Sequence, residues 1–352
     1  MKLKKLLSIS LATMLTLTAF AGCGNISDKK DQSDGTSTDT TAVSAGTETI
    51  SDNNIDTDAP IRVFAMNGPT GMGMSKLILD DEEGNTVNDY DFTLVSSADN
   101  IKAEIIKGEY DIAAVPTNLA SVLYKKTEGE LKVAAINTLG VLYILENGNT
   151  VKSVKDLEGK TIAATGEGSV PEFVLSYILK ANGVNATVEF YTDGAELASK
   201  MISGDVTLAM LPVPYATNVL SKSSDIKIAV DVTETWEATG NDAGALCQGC
   251  VIVRAEFAES NPEAVDKFLE EYAESVKYVN ENVDDAAALL EKYGIVNSAA
   301  VGKTAIPAAN IVCITGEEMA ADLNGFYKIL FDSNPASVGG SLPDNDIYYI
   351  GK

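Results

Sequence analysis

Four short stretches combine turn-forming residues with uncharged polar side chains. They are Asn67-Gly68-Pro69-Thr70-Gly71, Pro116-Thr117-Asn118, Gly166-Glu167-Gly168-Ser169-Val170-Pro171 and Pro212-Val213-Pro214-Tyr215. Hydroxyls, amides and helix-opening backbone N–H groups hold a ligand by hydrogen bonds and do no chemistry of their own. The candidate ligand contacts are Asn67, Pro69, Thr70, Gly71, Thr117, Asn118, Glu167, Gly168, Ser169, Pro214 and Tyr215, with Trp236, the one tryptophan, as a further aromatic wall. Glu167 is the only carboxylate in these loops and would accept hydrogen bonds from an amino or amidine-like group. Tyr215 or Trp236 would stack on a flat ligand. Each residue also has a plainer reading: Thr and Ser as caps, Tyr and Trp as core, Glu167 as a solvated loop charge.

What is missing narrows the chemistry further. The 352 residues include no histidine and two arginines, Arg62 and Arg254. Ser-His-Asp and Cys-His catalysis and histidine metal sites are excluded, and the expectation is a protein without catalytic residues, cofactor or metal. With 51 acids against 26 bases and a net charge of −25, a nucleic-acid grip is excluded as well. Cys247-Gln248-Gly249-Cys250 has a redox-like spacing. Such a pair needs a helix N-terminus to lower its thiol pKa, and a strand follows it here. A local disulfide, a longer bridge involving Cys313, and plain buried thiols all remain open.

The N-terminus belongs to targeting rather than to the fold. Lys2, Lys4 and Lys5 precede an apolar run from Leu6 to Phe20, followed by Ala21-Gly22-Cys23. That pattern is a secretory signal. Its last three residues resemble the lipobox of bacterial lipoproteins, which implies that Cys23 is acylated and anchors the chain on the extracytoplasmic face of the cell membrane. Residues 24–59, rich in Ser, Thr, Asp and Gly, read as a disordered acidic linker.

From Ile61 onward, strand and helix patterns alternate, as in an open, largely parallel sheet. Ile61–Met66, Phe92–Val95, Asp111–Val115 and Thr161–Ala164 read as strands, and Glu172–Asn182 as a helix. The stretch from Ile106 to Pro116 echoes that from Ile202 to Pro212 in register, with Ile, Gly, Ala and Pro recurring. Two similar lobes follow from that echo. Asn261-Pro262 marks a helix start, and Val265, Phe268, Leu269, Tyr272, Val276 and Val279 recur at helical spacing as a packing face.

Val154-Lys155-Asp156-Leu157-Glu158-Gly159-Lys160-Thr161-Ile162-Ala163, the paired Gly108/Pro116 and Gly204/Pro212, and Gly249-Cys250-Val251-Ile252-Val253 ahead of Asn261-Pro262-Glu263 carry a family resemblance. The chain resembles the substrate-binding lipoproteins of bacterial ABC importers, in the branch for sulfonates, nitrate and thiamine pyrimidines. The resemblance implies an α/β, two-lobed periplasmic-binding-protein type 2 fold, each lobe an open mostly parallel sheet with helices on both faces. The expected division is 1–23 signal, 24–59 linker, 60–144 plus 246–352 as lobe 1 and 145–245 as lobe 2. Crossings between the lobes are expected near Tyr143–Gly148 and Gly244–Gly249. The implied partners are a small solute, a membrane ABC permease and a lipid at Cys23, with no nucleic acid, and the body is expected to be a monomer. By elimination the favoured solute is a small heterocycle of thiamine-pyrimidine type, because neither arginine and no lysine falls in the four loops. A sulfonate or nitrate-type anion is the alternative, with a sensor or an enzyme on the same fold behind it.

Overall fold

The computed structural model describes residues 59–96, 98–239 and 244–351. The signal, Cys23 and nearly all of the linker lie outside the described residues.

The first strands and helices follow the expected alternation. β1 (Ile61–Met66) leads through α1 (Pro69–Met72) and α2 (Ser75–Glu82) to β2 (Tyr90–Val95), then α3 (Ala98–Lys107), β3 (Ile112–Pro116), α4 (Thr117–Lys126) and β4 (Leu131–Thr138). The chain then enters a second sheet with β5 (Leu142–Asn147), β6 (Thr161–Thr165), α5 (Val170–Ala181), β7 (Thr187–Tyr191), α6 (Gly194–Ser203), β8 (Leu208–Pro212), α7 (Tyr215–Lys222) and β9 (Ile226–Asp231). After α8 (Val232–Ala238) it returns to the first sheet with β10 (Gly249–Arg254). The helices α9 (Ala255–Ser260), α10 (Pro262–Glu281), α11 (Val283–Lys292) and α12 (Ala299–Ala305) precede β11 (Ile311–Ile314) and α13 (Gly316–Ser333).

The two sheets share one plan. The first runs β11-β4-β10-β3-β1-β2 and the second β7-β6-β8-β5-β9. In each, three strands are parallel neighbours (β2-β1-β3 and β7-β6-β8), and one antiparallel strand, β10 or β5, is wedged before the next. That antiparallel strand is the first one laid down after the chain arrives from the other sheet. The echoed segments occupy equivalent places, β3 followed by α4 and β8 followed by α7. Central strands are buried almost throughout, as sheets covered on both faces require.

The first crossing lies at 139–141, ahead of the expected 143–148. The reason is that Tyr143 and its neighbours already pair with β8 and β9, so all of β5 belongs to the second sheet. The second crossing leads from α8 to Gly249. The two crossings press together. A Cβ on Gly140 would stand 1.9 Å from Thr233 Oγ1 and 3.0 Å from Leu246 Cδ2, so any larger residue here must displace its neighbours. Leu139 N–H donates to the Asn310 carbonyl at 3.1 Å, tying the first crossing to the stretch before β11.

On α10, Val265, Phe268, Tyr272, Val276 and Val279 form the buried stripe, and Leu269 packs partly against it. Each such side chain contributes about 1.5–3 kcal/mol of burial. Pro262 sits in the first turn as expected, although the Asn261 side chain makes no capping hydrogen bond. Among the described residues no helix is long and apolar enough to cross a membrane.

Candidate functional site

A cavity of about 550 Å³ lies where the carboxyl ends of the parallel strands of both sheets converge. Its size suits a small organic molecule. One side is built on the first sheet. Met66, Asn67, Gly68, Pro69 and Thr70 line it after β1, Ser96 after β2, and Pro116, Asn118 and Leu119 at the junction of β3 and α4. The facing side comes from the second sheet, with Gly168 to Pro171 opening α5 and Pro212 to Tyr215 opening α7. Thr138, Val141 and Gln248 lie where the two crossings meet the sheets.

The helix starts are shaped by local sequence. Gly166 and Gly168 take positive φ, which lets the chain leave β6 and turn sharply. Ser169 Oγ donates to the Gly166 carbonyl at 2.7 Å, Glu172 Oε2 accepts from Gly168 N–H at 2.6 Å, and Pro171 stands in the first turn of α5. Asn67 N–H is fixed by the Val95 carbonyl at 2.8 Å, and Gly68 N–H by Ile295 at 3.1 Å. Asn137 holds the loop from below, its amide donating to the Thr70 carbonyl at 3.1 Å. The Thr138 hydroxyl in turn donates to Asn137 Oδ1 at 3.0 Å.

Eight of the twelve expected contacts line this cavity: Asn67, Pro69, Thr70, Asn118, Gly168, Ser169, Pro214 and Tyr215. Four do not. Trp236 is core: it is 1% exposed, packs on Tyr177 and Phe326 with ring centroids 4.8 and 5.6 Å away, and donates its indole N–H to the Gly244 carbonyl at 3.0 Å. Glu167 is exposed and off the cavity wall, because the glycine on either side turns the loop and carries its side chain out to solvent. Thr117 and Gly71 are buried behind the wall, inside the first turns of α4 and α1.

Other wall residues carry no motif. Lys102 reaches the cavity from α3, and Gly294, Ile295, Val296, Asn297 and Val301 come from the stretch between α11 and α12. Among the described residues the wall contains no Asp or Glu. Three helices of eight residues or more, α4, α5 and α7, begin at it. Each helix brings the positive end of its dipole to the wall, where Lys102 also stands.

Both arginines are elsewhere. Arg62 and Arg254 converge on Asp111, at the opposite end of the first sheet, with Nη2–Oδ1 distances of 2.8 and 3.0 Å. The thiols of Cys247, Cys250 and Cys313 are free. Burial raises the Cys250 thiol to about 12 and that of Cys247 well above its usual value, opposite to the lowered thiol that a redox pair needs.

Residues 132–286 match the family described as NMT1/THI5 like. No curated protein matches the chain significantly. Among solved structures, an ABC transporter protein from Parabacteroides distasonis superposes with a TM-score of 0.71 at 22% identity, over 83% of this chain and 99% of that one. The periplasmic aliphatic sulphonate binding protein SsuA of Escherichia coli superposes at 0.65 with 15% identity, over 83% and 92%. The alkanesulfonate-binding protein SsuA of Xanthomonas axonopodis pv. citri, bound to MOPS, superposes at 0.58 with 13% identity, over 82% and 95%. These matches agree with the resemblance drawn from the sequence, and the fold is the two-lobed α/β fold of periplasmic binding proteins.

Proposed function

We propose that this chain is the extracytoplasmic solute-binding component of an ABC importer, acting without catalysis. It takes a small organic molecule between its lobes and presents it to a membrane permease, while a lipid on Cys23 keeps the body near the membrane. The fold, the match over residues 132–286 and the inter-lobe cavity support this reading. The division into lobe 1 (60–144 plus 246–352) and lobe 2 (145–245) is kept as a working division, with its first boundary drawn back to residues 139–141, where β4 gives way to β5.

The solute that the cavity fits best is a small organic anion with a sulfonate-like head and a compact apolar body. One observation carries this: the described wall offers Lys102 and three helix starts, and no carboxylate. The net charge of −25 opposes the approach of an anion, but surface charges beyond about 8 Å are largely screened at physiological ionic strength. Inside the cleft the nearby charges decide. The carboxylate that favoured an amino-bearing heterocycle, Glu167, is off the wall, so that reading becomes the second one. Tyr215 and the neighbouring prolines keep it in view, since they offer a flat apolar surface. Two of the superposed proteins are described as sulfonate binders, which supports the first reading.

Calorimetry with ethanesulfonate, MOPS and an aminopyrimidine tests the choice. Sulfonate binding is expected, and Lys102→Ala should weaken it about 10- to 150-fold, the loss of a charge-assisted hydrogen bond. Binding of the aminopyrimidine alone, or sulfonate affinity untouched by Lys102→Ala, would reject the anion reading.

A further inference from the structure

Gln248 ends the second crossing and has no role in the reading above. Its backbone is pinned on both sides: its N–H donates to the Thr138 carbonyl at 2.9 Å, and its carbonyl accepts from Thr117 N–H at 3.1 Å. At the next residue, a Cβ on Gly249 would stand 2.4 Å from Thr70 Cγ2 and 2.6 Å from Asn137 Oδ1. The crossing is therefore packed tightly against the loop after β1 and the end of β4.

The side chain is a different case. Gln248 lines the cavity, yet its amide nitrogen is shut off from solvent and has no protein hydrogen-bond partner. A buried donor left unpaired carries its whole desolvation penalty. Packing alone would be served by Met or Leu at no such cost. Turning the terminal amide toward the cavity breaks no hydrogen bond of this nitrogen, since it makes none with the protein. Strained or unsatisfied groups at a cleft are where stability is given up for binding.

We propose that Gln248 is a specificity-determining contact, its amide N–H donating to an acceptor oxygen of the bound solute. On the reading above, on which this rests, that oxygen belongs to the anionic head. Lys102 supplies charge without much geometry, because an ammonium on a flexible stem acts as a point charge. The amide of Gln248, held by a fixed backbone, supplies direction. Because it stands on a crossing, the solute is gripped by the connection between the lobes as well as by their faces.

Gln248→Met keeps the length of the side chain and deletes the amide. With ethanesulfonate as probe, calorimetry should show affinity reduced about tenfold or more. Gln248→Glu should lose more, since it places a carboxylate beside the anion. In the absence of solute, Gln248→Met should melt at the wild-type temperature or above it, because an unpaired donor has been removed. Unchanged ethanesulfonate affinity in Gln248→Met overturns the proposal. So does a solute-free melting point several degrees lower, which would make the amide structural. If wild-type protein binds the aminopyrimidine and no sulfonate, the anion reading fails, and the same variant measured with the aminopyrimidine judges Gln248. If neither probe binds, the melting comparison decides.

Discussion

Asp111 gathers both guanidinium groups of the protein. Arg62 reaches it through Nε at 2.9 Å and through its backbone N–H at 3.0 Å, besides the two Nη2 contacts. Burial alone would raise this carboxyl, but the hydrogen bonds from Arg62 and Arg254 outweigh it and hold the carboxyl below its ordinary value. A carboxyl lowered by folding stabilises the fold above its unfolded pKa, about 3.9, and that stabilisation is lost as pH falls through the folded value. Wild-type stability should therefore drop on acidification below about pH 4, and Asp111→Asn should show a shallower drop in urea titrations across that range. Asp111→Ala removes the more buried of the two carboxylates that Arg254 meets, leaving it Glu256, and should cost about 1.5–3 kcal/mol, the loss of charge-assisted hydrogen bonds. Arg62, 40% exposed, adds less to that loss. At this scale the sequence was legible in part. Loop residues next to glycine and proline were found because turn chemistry is local. Lys102 was missed because nothing in the pattern of α3 distinguishes a lysine facing the cavity from one facing solvent. Trp236 was placed at the site on aromatic character, which does not separate a core residue from a wall.

Strands and helices were easier to read, because alternation and helical spacing are set by burial on one face or both. The echo of Ile106–Pro116 in Ile202–Pro212 located β3 with α4 and β8 with α7, and the stripe on α10 matched its buried face. The stretch between α11 and α12 was not seen as part of the site, because its return to the cavity depends on tertiary packing. The crossings were misplaced by a few residues for a similar reason: β5 is apolar enough for either sheet, and its pairing with β8 and β9 decides. Gly140, where the crossings touch, gives an element-level prediction. Gly140→Ala forces a methyl against Thr233 and Leu246, and overpacking of this kind typically costs about 1–3 kcal/mol. Thr233→Ala removes the nearest atom, so the double variant should regain part of the loss. A double-mutant cycle in denaturant checks this, and simple additivity would show that the clash is relieved elsewhere.

For the whole molecule, the proposed anchor is the first thing to test. Cys23→Ala should release processed protein into the medium or leave an unprocessed precursor. Fractionation followed by mass spectrometry of the N-terminus distinguishes these outcomes from a variant still held at the membrane, which would refute lipidation at Cys23.

The wedged strand β10 also fixes an order of assembly. β4 pairs with β10 and β11, and through Val133 with Tyr348, and all three are made after the whole of the second sheet. The second sheet, β5 to β9, is complete within one uninterrupted stretch of chain. The lobe that begins first is thus finished last: its strands β1 to β3 must wait through residues 139–248 for the piece that joins them to β4. While the chain is still emerging, that wait leaves apolar strand edges open, a window in which a chaperone would find its hold.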